Sequence, residues 1–290
     1  MGAIGSWLAD PWSSGLVVRA ALELVVVGVV SGAIGVFVVV RGLAFTGEAF
    51  AHAVFPGAVI ASILGGSIVA GALACGLAAA VCVALIGTVR VLNEDSAVGV
   101  VFTGTFALGA LLLSRETFPS RDLESFLFGS LLGVSREDLW LTAAVAAVVL
   151  VWVAALWRPL VLSSFDRAAA AAAGYRLGAL DAALLVLLAL TVVVAVQAIG
   201  NVLVLAMLVT PAATARLLCR RVATTAAAAA ALGVSAGIIG LYASWYLEIA
   251  AGAAVVLAAT AQLVLALLVA PGSLARWAAR STGAWRATRP

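Results

Sequence analysis

The chain has 290 residues, of which 65% are hydrophobic and only 10% charged, with a mean hydropathy of +1.23. A soluble domain is about half apolar and about a quarter charged, so the composition excludes a soluble enzyme or a nucleic-acid-binding module and points to an all-α polytopic membrane protein. The net charge of +3 comes from scattered arginines with no lysine, so it bears on membrane orientation and not on nucleic acid.

A bilayer core needs about 20 apolar residues per helix. The first span is 15–40, closed by Arg41; Arg19 and Glu23 lie four residues apart near its start and can pair, lowering the cost of two charges. No positive region precedes this span, so a cleaved signal peptide is not expected. A polar interruption follows at 41–57, carrying Glu48 and His52, the only histidine. Pro56-Gly57 is expected to break or kink the helix there, with apolar sequence continuing over 54–69. An interrupted helix at membrane depth must be buried in protein or line a cavity. A third span covers about 70–89 and ends at Arg90-Val-Leu-Asn-Glu-Asp95, and a fourth covers 98–113.

The polar segment 114–138 encloses an apolar piece, 126–134, too short to cross. The fifth span is 139–157, stopped by Arg158-Pro159. In region 163–178, Ser164 or Asp166 can cap a short helix, six alanines favour it, and Gly174 can end it. Asp181 precedes the sixth span, 182–199; Gly200-Asn201 interrupts; and 202–218 forms a seventh, broken by Thr210-Pro211. The eighth is about 223–241 and the ninth 249–270, before an arginine-containing tail. Nine spans is the expectation, or eight if 199–218 is one re-entrant element.

With nine spans and the C-terminus inside, Arg41, Arg90, Arg158, Arg167, Arg176, Arg216, Arg220, Arg221 and the tail arginines are cytoplasmic, against Arg115, Arg121 and Arg136 outside. This follows the positive-inside rule and puts the N-terminus outside. Trp7, Trp12, Trp140, Trp157, Trp245 and Tyr246 near span ends read as an aromatic belt. Cys75 and Cys82 are seven residues apart on one helix, a rise of roughly 10 Å and too far for a disulfide; with Cys219 they read as small core residues.

Glu48 and His52 carry the chemistry. Spaced i and i+4, they share one helix face, with roots roughly 5–6 Å apart. A carboxylate and an imidazole there can share a divalent metal or a proton, or simply hydrogen-bond each other at the helix start. Charges at the bilayer centre cost about 2.5–3.5 kcal/mol on insertion scales, which favours function or pairing. Gln197 and Asn201, also i and i+4, can line a cavity or bond a neighbouring helix. Met207 and Glu248 are further pathway-lining candidates, packing being the plainer role for Met207.

Gly47-Glu-Ala-Phe-Ala-His-Ala-Val-Phe-Pro-Gly57 resembles the Gly-Asp-Ala-x-Ser-His-Ala-x-x-Pro-Gly signature of the ABC-3 family, permease subunits of bacterial zinc and manganese importers. Glu94-Asp-Ser-Ala-Val-Gly-Val100 resembles its Glu-Asp-x-Ala-Ile-Gly-Ile run, and Met207 to Leu217 its Pro-Ala-Ala-Thr-Ala-Arg segment. The order and spread of these motifs, over almost the whole chain, make the resemblance specific. It implies a single transmembrane permease domain, 1–290, related in architecture to the vitamin B12 and siderophore permeases (type II ABC importers), with two copies forming the pathway. It implies an ATP-driven importer of a divalent transition metal in a bacterial plasma membrane: ATP on two copies of a partner ATPase, the metal as substrate, no cofactor bound by this chain, and an extracellular or periplasmic metal-binding protein above, near the extracellular loop region 114–138.

By the same similarity Glu48 and His52 handle the metal, and Glu94 and Asp95 form a cytoplasmic motif. The coupling helix toward the ATPase falls on Asp166, Arg167, Ala171, Ala172, Gly174 and Tyr175. The sequence departs from the family pattern with Glu for Asp at 48, Ala for Ser at 51, and at Glu248-Ile-Ala-Ala-Gly252, where the family usually has Pro before Ser-Gly. No Gly-x-x-x-x-Gly-Lys-Ser/Thr phosphate loop is present, so ATP hydrolysis is assigned to the partner. Two rival readings are a proton-coupled secondary transporter, which would often show an inverted repeat, and an ABC permease for a chelated metal or cofactor.

Overall fold

A computed structural model describes residues 10–86, 94–114 and 131–269. Expectations attached to Trp7, Arg90, most of the 114–138 segment and the arginine tail lie outside the described residues. Among those described, the protein is all helical, with 3-10 turns at Asp10–Ser13 and Leu131–Gly133. The helices are α1 (Gly15–Arg41), α2 (Ala44–Ile63), α3 (Ile68–Ile86), α4 (Glu94–Leu113), α5 (Arg136–Ala155), α6 (Trp157–Phe165), α7 (Arg167–Ala172), α8 (Leu177–Ile199), α9 (Asn201–Leu218), α10 (Val222–Leu247) and α11 (Ala251–Val269).

Seven of these are long and apolar enough to cross a membrane: α1, α2, α3, α5, α8, α10 and α11. Two more, α4 and α9, contain the shorter apolar stretches Ser96–Leu112 and Leu203–Leu218. The nine expected spans therefore resolve, among the described residues, into seven candidates and two shorter apolar helices.

Pro56 and Pro211 do not break their helices, for reasons of position. Pro56 lies inside α2, which runs without a break to Ile63. The interruption comes later, where Gly65 takes a left-handed φ of 66° and the chain turns into α3. Pro211 likewise lies inside a continuous α9. Membrane helices tolerate proline because neighbouring helices and Ser/Thr side chains compensate its missing N–H. The fifth span does end just before Arg158-Pro159, at Ala155; Pro159 itself is the third residue of α6, in a first turn where the N–H has no intrahelical partner anyway. Asp181 sits inside α8 instead of before it, and Arg136–Asp138, assigned to the loop, form the first turn of α5, where Ser135 and Asp138 make a reciprocal capping box.

At the centre, α1 packs along α10, α9, α5 and α8. Its contact with α10 is backbone to backbone: a Cβ at Gly32 would strike the main chain of Ala230, and one at Gly28 would lie 2.9 Å from the amide nitrogen of Val234. Gly57 and Gly71 face each other in the same way across α2 and α3, where either Cβ would meet the other's carbonyl oxygen. Close approach of small residues is what holds helices together in lipid, where apolar burial gives no net drive. Gly57 is therefore a packing residue and not a helix breaker. The expected Arg19–Glu23 pair is not formed among the described residues; α1 turns Glu23 inward, at 1% exposure, where Thr142 of α5 is its polar neighbour.

Candidate functional site

Glu48 is the fifth residue of α2 and His52 the ninth, one turn apart on one face. The residues flanking them, Thr46, Gly47, Ala49, Phe50, Ala51 and Ala53, are buried. The face between these buried positions carries an exposed Glu48 and a half-buried His52. The imidazole stands edge-on to two rings of α4, Phe102 at a centroid separation of 5.2 Å and Phe106 at 5.9 Å. Those two rings stack on each other at 6.1 Å. An aromatic wall on one side confines the imidazole plane and leaves the carboxylate one turn away as its neighbouring ligand type. Among the described residues, no cluster of three or more His, Cys, Asp or Glu side chains is formed. Among the described residues this face thus presents one carboxylate and one imidazole, fewer donors than the four of a closed zinc site or the six of an octahedral ion.

The other candidates do not gather here. Met207 is 1% exposed within the apolar core, which agrees with packing. Glu248 is exposed and caps the C-terminus of α10 in a left-handed conformation, φ 52°. Gln197 lies in the last turn of α8 and Asn201 opens α9, with Gly200 between them at φ 81°. Glu94 and Asp95 open α4. The side chains of Gln197, Asn201, Glu94 and Asp95 lie outside what the structure describes.

The short helix of region 163–178 forms as α7. Asp166, not Ser164, is its cap: the Asp166 side chain accepts a hydrogen bond from the Ala169 amide at 2.8 Å. Gly174 turns the chain with φ 86°. Ala170 is fully buried and anchors the helix, whereas Arg167, Ala171, Ala172, Gly174 and Tyr175 are exposed.

Sequence reasoning missed what lies beneath α7. The Arg41 side chain, only 10% exposed, meets the Asp181 carboxylate at 2.6 Å. It also donates from Nε to Ser164 Oγ at 2.9 Å and from Nη2 to Ser163 Oγ at 2.7 Å. The second oxygen of Asp181 accepts from Nη2 of Arg167, on α7, at 2.8 Å. These groups border a cavity of about 590 Å³ that is also lined by Thr46 of α2 and Val98 of α4. The available signal was positional: Arg41 ends one membrane helix and Asp181 lies near the start of another, so opposite charges meet where both helix dipoles favour them.

The chain matches the ABC 3 transport family over residues 13–270. It is 40% identical over 273 residues to the manganese transport system membrane protein MntC of Halalkalibacterium halodurans, covering 93% of this chain and 91% of that one. Among solved structures it is similar to PsaBC from Streptococcus pneumoniae in complex with Fab, with a TM-score of 0.83, 32% identity, and coverage of 93% and 97% of the two chains. It shares its fold with a transporter assigned to the metal-chelate type and solved in an inward-facing conformation, with a TM-score of 0.64, 19% identity, and coverage of 88% and 82%.

Proposed function

The chain belongs to the ABC 3 transport family, and we propose that it is the membrane-spanning permease subunit of an ATP-driven importer of divalent transition-metal ions, with manganese the favoured cargo and zinc the alternative. The observation that carries the reading is Glu48, exposed on a membrane helix one turn from the half-buried His52. A carboxylate facing lipid is costly, so a second copy of this chain covers that face, and the ion passes between the two copies. Two ligands per copy bind weakly enough to release, as transport requires. Carboxylate oxygen suits manganese and imidazole suits zinc, so the choice of manganese leans on the function named for the relative MntC.

In this arrangement the seven long helices and the two shorter apolar ones, α4 and α9, all cross the plasma membrane, with the N-terminus outside and the C-terminus in the cytoplasm, as the arginine distribution favours. The exposed face of α7 docks on the partner ATPase, which hydrolyses ATP, and an extracellular metal-binding protein delivers the ion from the other side. Family membership favours this over a proton-coupled carrier that works alone.

The test is uptake of radioactive manganese and zinc by cells carrying the complete transporter, comparing wild type with Glu48→Ala and His52→Ala at matched protein levels. Loss of uptake in both variants, with the transporter assembled, supports the reading, and the better-transported ion names the cargo. Undiminished uptake in both variants overturns it.

A further inference from the structure

We propose that Asp181 is a positioning residue that transmits movement of α7 to the helix carrying Glu48 and His52; the inference rests on the reading of α7 as the ATPase-docking helix. Three observations on this chain carry it.

First, Asp181 is bonded on both sides at once. Oδ1 holds Arg41 at 2.6 Å, and Oδ2 holds Arg167 at 2.8 Å, with a longer 3.4 Å contact from Arg167 Nη1 to Oδ1. Exposure falls steadily along this line, from 55% for the Arg167 side chain to 25% for Asp181 and 10% for Arg41. The triad therefore runs from the open surface of α7 into the bundle.

Second, the inner end is fastened to α2 with little slack. Arg41 is the last residue of α1, and only Gly42 and Leu43 separate it from Ala44. That turn is locked: Gly42 adopts φ 73°, and both the Gly42 and Leu43 amides donate to the Val38 carbonyl. Glu48 follows Arg41 by only seven residues. A shift of Arg41 thus moves the start of α2, and with it the ligand stripe.

Third, there is room for such a shift. The cavity of about 590 Å³ adjoins Arg41, Asp181 and Arg167, and Thr46 of α2 lines the same space. Charged groups that adjoin an open volume can rearrange, whereas a close-packed interior is bistable at best.

The experiment reconstitutes the complete transporter, with its ATPase and binding protein, in liposomes and measures manganese ions taken up per ATP hydrolysed. Asp181→Asn and Arg167→Ala are expected to lower that ratio by about tenfold, in the range of energetic coupling carried by such networks. Arg167→Lys, which keeps the charge, restores most of it. Arg167→Ala keeps the inner pair intact, so the test survives if Asp181→Asn does not fold. An unchanged ratio in Arg167→Ala overturns the inference, and so does a loss that lysine fails to restore. A separate arm places Ala171→Cys on α7 and tests for a cross-link to the ATPase. No cross-link overturns the docking reading itself; a cross-link with an unchanged ratio overturns only the role of Asp181.

Discussion

Two polar regions of this membrane protein are built on opposite plans. Around Asp181 the charges are completed within one chain: a buried guanidinium, a carboxylate with both oxygens engaged, and two serine hydroxyls. On α2 Glu48 is left exposed one turn from a half-buried His52 that has an aromatic wall on one side, with no third acid, thiol or imidazole brought to the pair among the described residues. Burying a charge is tolerable when it is paired and hydrogen-bonded. A charge left uncovered on a membrane helix makes sense only if something outside the chain completes it. The contrast separates a network that holds the chain together from one that, on the proposed reading, an ion and a second copy complete.

Substitutions in the two regions should therefore fail in different ways. The largest effect is expected at the open stripe. Glu48→Ala or His52→Ala should cut metal uptake by about 100-fold or more, beyond the 10–100-fold usual for residues one shell further out, while the melting temperature of the purified protein hardly moves. The reverse holds at Asp181. Asp181→Asn strands a nearly buried Arg41 and should lower stability by about 3 kcal/mol, read as an earlier thermal transition in detergent.

A third substitution probes the scaffold that both regions share. Gly57→Ala forces a methyl against the Gly71 carbonyl and Cys75, and should cost about 2 kcal/mol by the same thermal measurement. Met207→Leu keeps core volume and should cost less than about 1.5 kcal/mol with uptake preserved; lost uptake at normal stability would return Met207 to the pathway. The smallest stability change belongs to Arg167→Ala, below about 1 kcal/mol because its partner contact is largely solvated. A stability loss there as large as in Asp181→Asn would erase the distinction between the inner and outer halves of the triad.

Much of this arrangement was legible in the sequence. The i, i+4 spacing put Glu48 and His52 on one face, and the alanine run with Asp166 before it marked α7, because both depend on local helix geometry. What stayed hidden depends on contacts between distant segments. Pro56-Gly57 reads locally as a breaker, but Gly57 exists to meet Gly71 on α3. Arg41 reads as the end of a span and an orientation marker, but its partners lie 122 to 140 residues away. Arg19 and Glu23 satisfy the spacing for a pair, yet packing against α5 turns Glu23 inward. Phe102 and Phe106 look like ordinary lipid-facing apolar residues until α4 brings them to His52.

The lengths of α1 and α10 have a further consequence. At 27 and 26 residues they extend about 40 Å, against a hydrocarbon layer of about 30 Å. Locked to each other through glycines, they cannot shorten, so the pair must lean or the bilayer must swell around it. Arg41 sits at the tip of α1, so the excess length carries its guanidinium to the end of the bundle, where it meets Asp181 beneath α7.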